Sequence, residues 1–264
     1  MTTSQSTIQN AAAALRRAEE TGEFIAPLRE QFADLDVDGA YAIQRLNIEQ
    51  RLRAGRRIVG CKIGLTSPAV QKQLGVDQPD CGTLLDDMEL YEGMPIPLAR
   101  LQQPKVEAEV AFVLGRDLAM ESPCLVDAMR AVEFALPALE IVGSRIRDWN
   151  IRLVDTVADN ASSCGYVVGG TPRKLSDLNL RDCVMQMTRD GEPVSEGRGS
   201  ACLGHPLNAV VWLARVMARN GTPLRAGHLV LSGALGPMAP VTGQHTFEAQ
   251  IEGLGKVSAT FGGR

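Results

Sequence analysis

The chain has 264 residues, 45% of them hydrophobic and 22% charged, with a formal net charge of -4 at pH 7. That suffices for one large domain, or one domain with an appendage, to bury a core without disulfide staples. The charge is mild and Lys and Arg are scattered, which argues against nucleic acid or an anionic membrane as the main partner.

Ser6-x-x-Gln9 has the form of a capping box and opens a helix to about Glu20. A second helix is expected from Val37 to Ala54, stopped by Gly55. Arg57 to Ile63 reads as a strand, and Ser67-Pro68 as the start of a short helix to Leu74. The Pro- and Gly-rich stretch from Val76 to Pro97 is expected to be loop. Strand texture begins at Val106, a helix covers Leu125 to Phe134, and Pro137 to Val142 looks like a buried strand. Cys183 to Thr188, the Asp190-Gly191 turn and a short partner form a hairpin. Pro206 to Asn220 is a helix, and Leu229–Leu231, Thr246–Ile251 and Val257–Phe261 are strands. Helices first and strands after predict an α+β fold, with a mainly helical region over 1–75 and a strand-dominated domain over 76–264.

Six cysteines (Cys61, Cys81, Cys124, Cys164, Cys183, Cys202) are widely spaced with no C-x-x-C, so core filling is expected of them and not a disulfide framework. Met1–Asn10 is polar, and no run approaches the roughly 18 apolar residues of a membrane span. A reduced, cytoplasmic protein is the expectation. There is no G-x-S-x-G, and Gly233-x-x-Gly236 and Gly253-x-Gly255 read as turns, not phosphate loops.

The most informative segment is Lys105 to Leu114, KVEAEVAFVL. Strand alternation puts Val106, Ala108, Val110, Phe112 and Leu114 on one face, and Glu107 and Glu109 on the other. Two carboxylates roughly 7 Å apart along one strand face can converge on one ion. An isolated E-x-E is also ordinary surface charge. Glu140 changes the balance, because a lone carboxylate within Leu136–Val142 is costly to bury. A cation shared by Glu107, Glu109 and Glu140 would satisfy all three, and all-oxygen ligation favours Mg²⁺ or Mn²⁺. The three histidines lie far apart, which disfavours zinc.

Read in order, Gly60-Cys61-Lys62-Ile63-Gly64-Leu65-Thr66, Gly75 to Gly82, the Glu107-Ala108-Glu109 strand, Pro137 to Glu140, Asp155 to Asn160 and Ser232 to Met238 resemble one family. It is that of the 2-keto-4-pentenoate hydratases, which stand beside the 4-oxalocrotonate decarboxylases in the fumarylacetoacetate-hydrolase-like superfamily. The resemblance runs over nearly the whole chain. It implies a helical N-terminal region before a mixed, rolled β-sheet body. It also implies a homo-oligomer, a Mg²⁺ or Mn²⁺ site on Glu107, Glu109 and Glu140, and work in the meta-cleavage breakdown of aromatic compounds. The expected substrate is a short 2-hydroxydienoate, and a decarboxylase or aldolase of the same pathway is a possible partner.

Hydration needs two proton-transfer events, so an acid/base group should lie near the carbon chain. Lys62, at a strand end, can reach a carboxylate or enolate oxygen. Asp80 can activate water or shuttle a proton, or simply form an Asx-turn. Ser162 can bind substrate or a metal-bound water, although Ser163 competes for that register. Thr66 is expected to be a helix-cap neighbour of Ser67. Arg145 and Arg147 are candidates for a distal carboxylate. The same site also suits decarboxylation, C–C hydrolysis of a fumarylpyruvate-like acid, or a non-catalytic subunit that stabilises a decarboxylase.

Overall fold

The computed structural model describes residues 2–67, 71, 76 and 78–263. The short helix expected after Ser67 falls mostly outside them. Helix α1 (Gln5–Thr21) starts from Ser4, whose hydroxyl accepts the Thr7 amide, and stops at Gly22 with φ 74°. The cap is therefore Ser4 and not the expected Ser6 box, because Asp34 takes both the Ser4 amide and the Thr7 hydroxyl and fixes the entry of the chain. The short α2 (Leu28–Gln31) leads to α3 (Val37–Arg53), capped by the Asp36 carboxylate on the Gly39 amide. Leu28, Ile43, Ala11 and Ala12 pack there with Val157 and Ala158 of a later helix, so the N-terminal helices share a core with the body.

Strands β1 (Ile58–Gly64) and β2 (Asp80–Leu85) pair antiparallel. β2 was expected to be loop. It is an edge strand without clean alternation, its start hidden by Pro79 and its middle by Gly82. β3 (Lys105–Leu114) is followed by α4 (Leu125–Ala131), which ends three residues before the expected Phe134 and passes directly into β4 (Val132–Val142). Then come α5 (Leu153–Ala158), β5 (Ser163–Val168), and the hairpin β6 (Val184–Arg189) and β7 (Glu192–Arg198). The hairpin turns at Asp190 (φ 51°) and Gly191 (φ 89°), the paired positive φ that a two-residue loop of matching twist requires. α6 (Pro206–Arg219), β8 (Leu229–Ala234), β9 (Ala239–Pro240), β10 (Thr246–Ile251) and β11 (Gly255–Thr260) complete the chain.

Among the described residues, the strands form two sheets: a seven-stranded one in the order β2-β1-β8-β3-β4-β5, with β9 also on β3, and a four-stranded one in the order β11-β10-β6-β7. The β1–β8 pair is parallel and its neighbours antiparallel, so the large sheet is mixed. Val106, Val110 and Phe112 of β3 meet Met185, Met187, Phe247 and Ile251 of the smaller sheet in the main core. Burying a side chain such as Phe112 contributes about 1.5–3 kcal/mol. The other face of the large sheet carries Glu107, Glu109 and Glu140 and is roofed by α3, α5 and the turn after α5. Sheet below and helices above leave Glu109 and Glu140 at 0% exposure.

Candidate active site

Glu107 and Glu140 stand directly opposite each other in the β3–β4 ladder, and Glu109 lies two residues on along the same face. One carboxylate oxygen from each of the three lies within 4.8 Å of the others. Glu109 Oε2 accepts the Gly233 amide at 2.7 Å; among the described residues, Glu109 Oε1 and Glu140 Oε1 have no partner, and Glu140 Oε2 has an ion-pair contact to Lys62 but no hydrogen bond. Leaving buried carboxylate oxygens unmatched is costly. Burial pushes the Glu107 carboxyl up to about 7. Burial raises Glu109 further, with the Glu140 and Glu107 charges adding to it, and burial also lifts Glu140. Hard, oxygen-only donors crowded in this way suit a hexacoordinate divalent cation, so these three residues can hold one.

Lys62 projects from β1 over the same face, nearly buried, with Nζ 3.3 Å from Glu140 Oε2 and donating to the Ala161 carbonyl at 2.9 Å. Burial works against its charge, but Glu140, Asp80, Glu107 and Glu109 outweigh it and hold the ammonium above its usual pKa. Asp80 enters from β2, 1% exposed, and burial raises its carboxyl despite Lys62. A side chain at Gly64 would collide with Asp80 Oδ1 and crowd Lys62 Nζ, so only glycine leaves room for both groups. Among the described residues, Asp80 Oδ1 itself has no hydrogen-bond partner.

The third wall is the turn Asn160–Ala161–Ser162, where all three residues take left-handed φ between 51° and 58°. Non-glycine residues rarely adopt this conformation, and three in succession persist only when contacts impose it. Here the Asn160 carboxamide pairs with Thr83 of β2, accepting its N–H at 2.8 Å and donating to its carbonyl at 2.9 Å. The turn delivers the Ala161 carbonyl to Lys62 and the Ser162 hydroxyl to Thr156, 3.1 Å away. The adjacent Ser163 is equally buried, but among the described residues its hydroxyl has no hydrogen-bond partner.

The six expected site residues thus come together: Glu107, Glu109 and Glu140 as a carboxylate group, with Lys62, Asp80 and Ser162 forming its rim. Arg145 is not free to bind a distal carboxylate. It is locked to Asp159 at 2.5 Å and to the Cys164 sulfur, while Arg147 is exposed. Thr66 is buried beneath Gly233, and Cys124 and Cys164 are not fully buried core residues. The Gly233 amide, the Ala161 carbonyl and Thr156 escape sequence reading. Two are backbone groups, and the third is one threonine on a short helix. Gly233, expected in a turn, is instead a residue of β8 that serves Glu109.

The fumarylacetoacetate hydrolase C-terminal family model matches residues 75–261. The chain is 58% identical over 253 residues to a 2-keto-4-pentenoate hydratase of Paraburkholderia xenovorans (strain LB400), covering 96% of this chain and 94% of that one. It is 41% identical to a 2-hydroxyhexa-2,4-dienoate hydratase of Comamonas testosteroni, covering 94% of each. Among solved structures, 4-oxalocrotonate decarboxylase from Pseudomonas putida G7, complexed with magnesium and adipate, is similar with a TM-score of 0.93 and 33% identity, covering 99% of both chains.

Proposed function

The chain belongs to the fumarylacetoacetate hydrolase family, and on that premise we propose that it is a metal-dependent hydro-lyase that adds water to 2-hydroxypenta-2,4-dienoate, giving 4-hydroxy-2-oxopentanoate in meta-cleavage aromatic catabolism. The observation that carries the reading is the carboxylate trio of Glu107, Glu109 and Glu140, with buried, unmatched oxygens on Glu109 and Glu140, set beside one ammonium and one raised aspartic acid. Glu107, Glu109 and Glu140 would hold Mg²⁺ or Mn²⁺. The similar decarboxylase holds magnesium, and the oxygen donors here suit either ion. When bound, the cation supplies Lewis acidity and a template for a 2-oxo acid.

The chain's own residues then divide the proton work. The substrate must lose its 2-hydroxyl proton and gain one at C5, which yields a conjugated enone. Water then adds at C4, with one proton lost from that water and one gained at C3. Lys62 is placed to stabilise negative charge growing on the substrate oxygens, held in line by Glu140 and the Ala161 carbonyl. Asp80, raised by burial, is suited to take a proton from oxygen and return it to carbon. Ser162 lies at the same edge as a neutral hydrogen-bond partner.

Decarboxylation of 2-oxo-3-hexenedioate is the second reading, favoured by the close likeness in fold to the decarboxylase. The hydratase reading is preferred because the hydratase relative shares 58% identity against 33% for the decarboxylase. Purified protein given freshly generated 2-hydroxypenta-2,4-dienoate with Mg²⁺ or Mn²⁺ should consume the diene absorbance and yield 4-hydroxy-2-oxopentanoate. CO₂ release from 2-oxo-3-hexenedioate, with no hydration product, would replace the first reading by the second.

We further propose a homo-oligomer working in the cytoplasm, with a decarboxylase or aldolase of the same pathway as a possible partner. Six free cysteines suit a reducing compartment. Among the described residues no helix is long and apolar enough to cross a membrane. Light scattering on the purified protein tests the assembly.

A further inference from the structure

Thr156 is 4% exposed and points inward from α5. Its hydroxyl donates to Asp80 Oδ2 at 3.5 Å and lies 3.1 Å from Ser162 Oγ, so it stands between two residues that do not otherwise touch through a hydrogen bond. Both ends of its helix are tied down. Asp155 accepts the Arg152 and Arg29 amides and pairs with the Arg29 guanidinium. Asp159 is held by Arg145 through its carboxylate and its carbonyl. Asp80 and Ser162 are fixed as well, by Gly64 packing and by the left-handed turn. A buried hydroxyl in so determined a place, bonded on both sides to groups of the site, is more than a filler.

We propose that Thr156 is a positioning residue whose hydroxyl joins Ser162 to Asp80 as a proton relay. This rests on the roles given above to Asp80 and Ser162. In one polarity Ser162 donates to Thr156 and Thr156 donates to the Asp80 carboxylate. A proton leaving a substrate-side oxygen bonds to Ser162 Oγ, the Ser162 proton passes to Thr156 Oγ, and the Thr156 proton passes to Asp80 Oδ2. One O–H bond breaks at the donor and one forms at Asp80, and both hydroxyls are neutral before and after. The reverse shift reverses the polarity and returns the proton. Each half of hydration moves one proton from oxygen to carbon, and the relay lets Asp80 store it on Oδ2 until the reverse shift returns it through Ser162. The sequence gives no sign of this, because the three residues meet only through the fold.

The test is Thr156→Val, which keeps the volume and removes the hydroxyl, beside Thr156→Ser, which keeps the hydroxyl. Turnover of the dienoate should fall about 100-fold in the Val variant, the lower end of what a positioned proton-transfer group contributes. KM and calorimetric Mg²⁺ affinity should stay at wild-type values, and the Ser variant should recover most of kcat. Wild-type turnover in the Val variant would overturn the relay. So would a Ser variant as slow as Val, which would point to methyl packing, or a Mg²⁺ affinity that falls in step with kcat, which would point to collapse of the site. Should the wild-type protein not hydrate the dienoate, the functional reading fails by itself. The relay is then decided by the same variants in deuterium exchange at C3 of 2-oxopentanoate followed by NMR, where equal Val and wild-type rates reject it.

Discussion

Glu109 is fully buried with one oxygen on the Gly233 amide and the other unmatched, so its two states of occupancy make opposite demands. Glu109→Gln removes a buried group whose charged form is costly there and keeps an acceptor for Gly233. The metal-free protein should therefore melt higher than wild type, while Mg²⁺ affinity and turnover should both collapse, which calorimetry and differential scanning fluorimetry can read together. Unchanged Mg²⁺ affinity would refute Glu109 as a ligand. Glu107 makes a matching prediction in pH. Its carboxyl is raised from 4.5 to about 7, so without metal its contribution to stability is fully present below 4.5 and is lost as pH rises through about 7. A bound cation reverses this, because it needs the ionised form. Mg²⁺ should bind more tightly as pH rises through about 7, and titrations at pH 6 in buffers of differing ionisation enthalpy should show proton release. For Lys62, substitution by Ala should leave an active-site carboxylate without its counter-ion and lower kcat. Full turnover in that variant would remove its role.

At the scale of elements, α6 offers a separable test. His205 is its N-cap, with Nδ1 accepting the Leu207 amide at 3.0 Å. Burial first, and Arg181 second, hold the imidazole below its usual pKa of 6.5. The cap works only with Nδ1 unprotonated, so its stability is present above 6.5 and is lost as pH falls below it. His205→Ala should cost about 1 kcal/mol at neutral pH, whereas His205→Asn should keep the cap and lose that acid sensitivity in urea melts. The same scale explains what was legible in the sequence. Alternation along β3 exposed the acidic pair, because its other face is strictly apolar. Glu140 was legible for the opposite reason, as a charge inside an apolar run. β2 was hidden because part of its hydrogen bonding goes to a side chain, Asn160, 77 residues away. The Gly233 amide and Ala161 carbonyl were hidden because a backbone group carries no residue-type signal.

For the molecule as a whole, the described residues up to Ser67 bring α1, α2, α3 and β1, and β1 is an interior strand that pairs with both β2 and β8 and carries Lys62. A chain starting at residue 76 should therefore fail to fold, reading as unfolded by circular dichroism. One starting at Arg56 should retain sheet signal while exposing the face that α1 and α3 cover.

The two halves of the site differ in how far the chain must reach to build them. The three carboxylates sit on β3 and β4, consecutive strands separated by one short helix, while the Gly233 amide that steadies Glu109 joins from 124 residues on. The rim of Lys62, Asp80 and Ser162 closes only when Asp80 finds Thr156, 76 residues on, and Lys62 finds Ala161, 99 residues on. Long loops close slowly, so during refolding the cradle for the cation should mature before the acid–base rim. In stopped-flow refolding with Mg²⁺, ion capture should run ahead of recovered turnover, leaving for a time a chain that grips its metal and catalyses nothing.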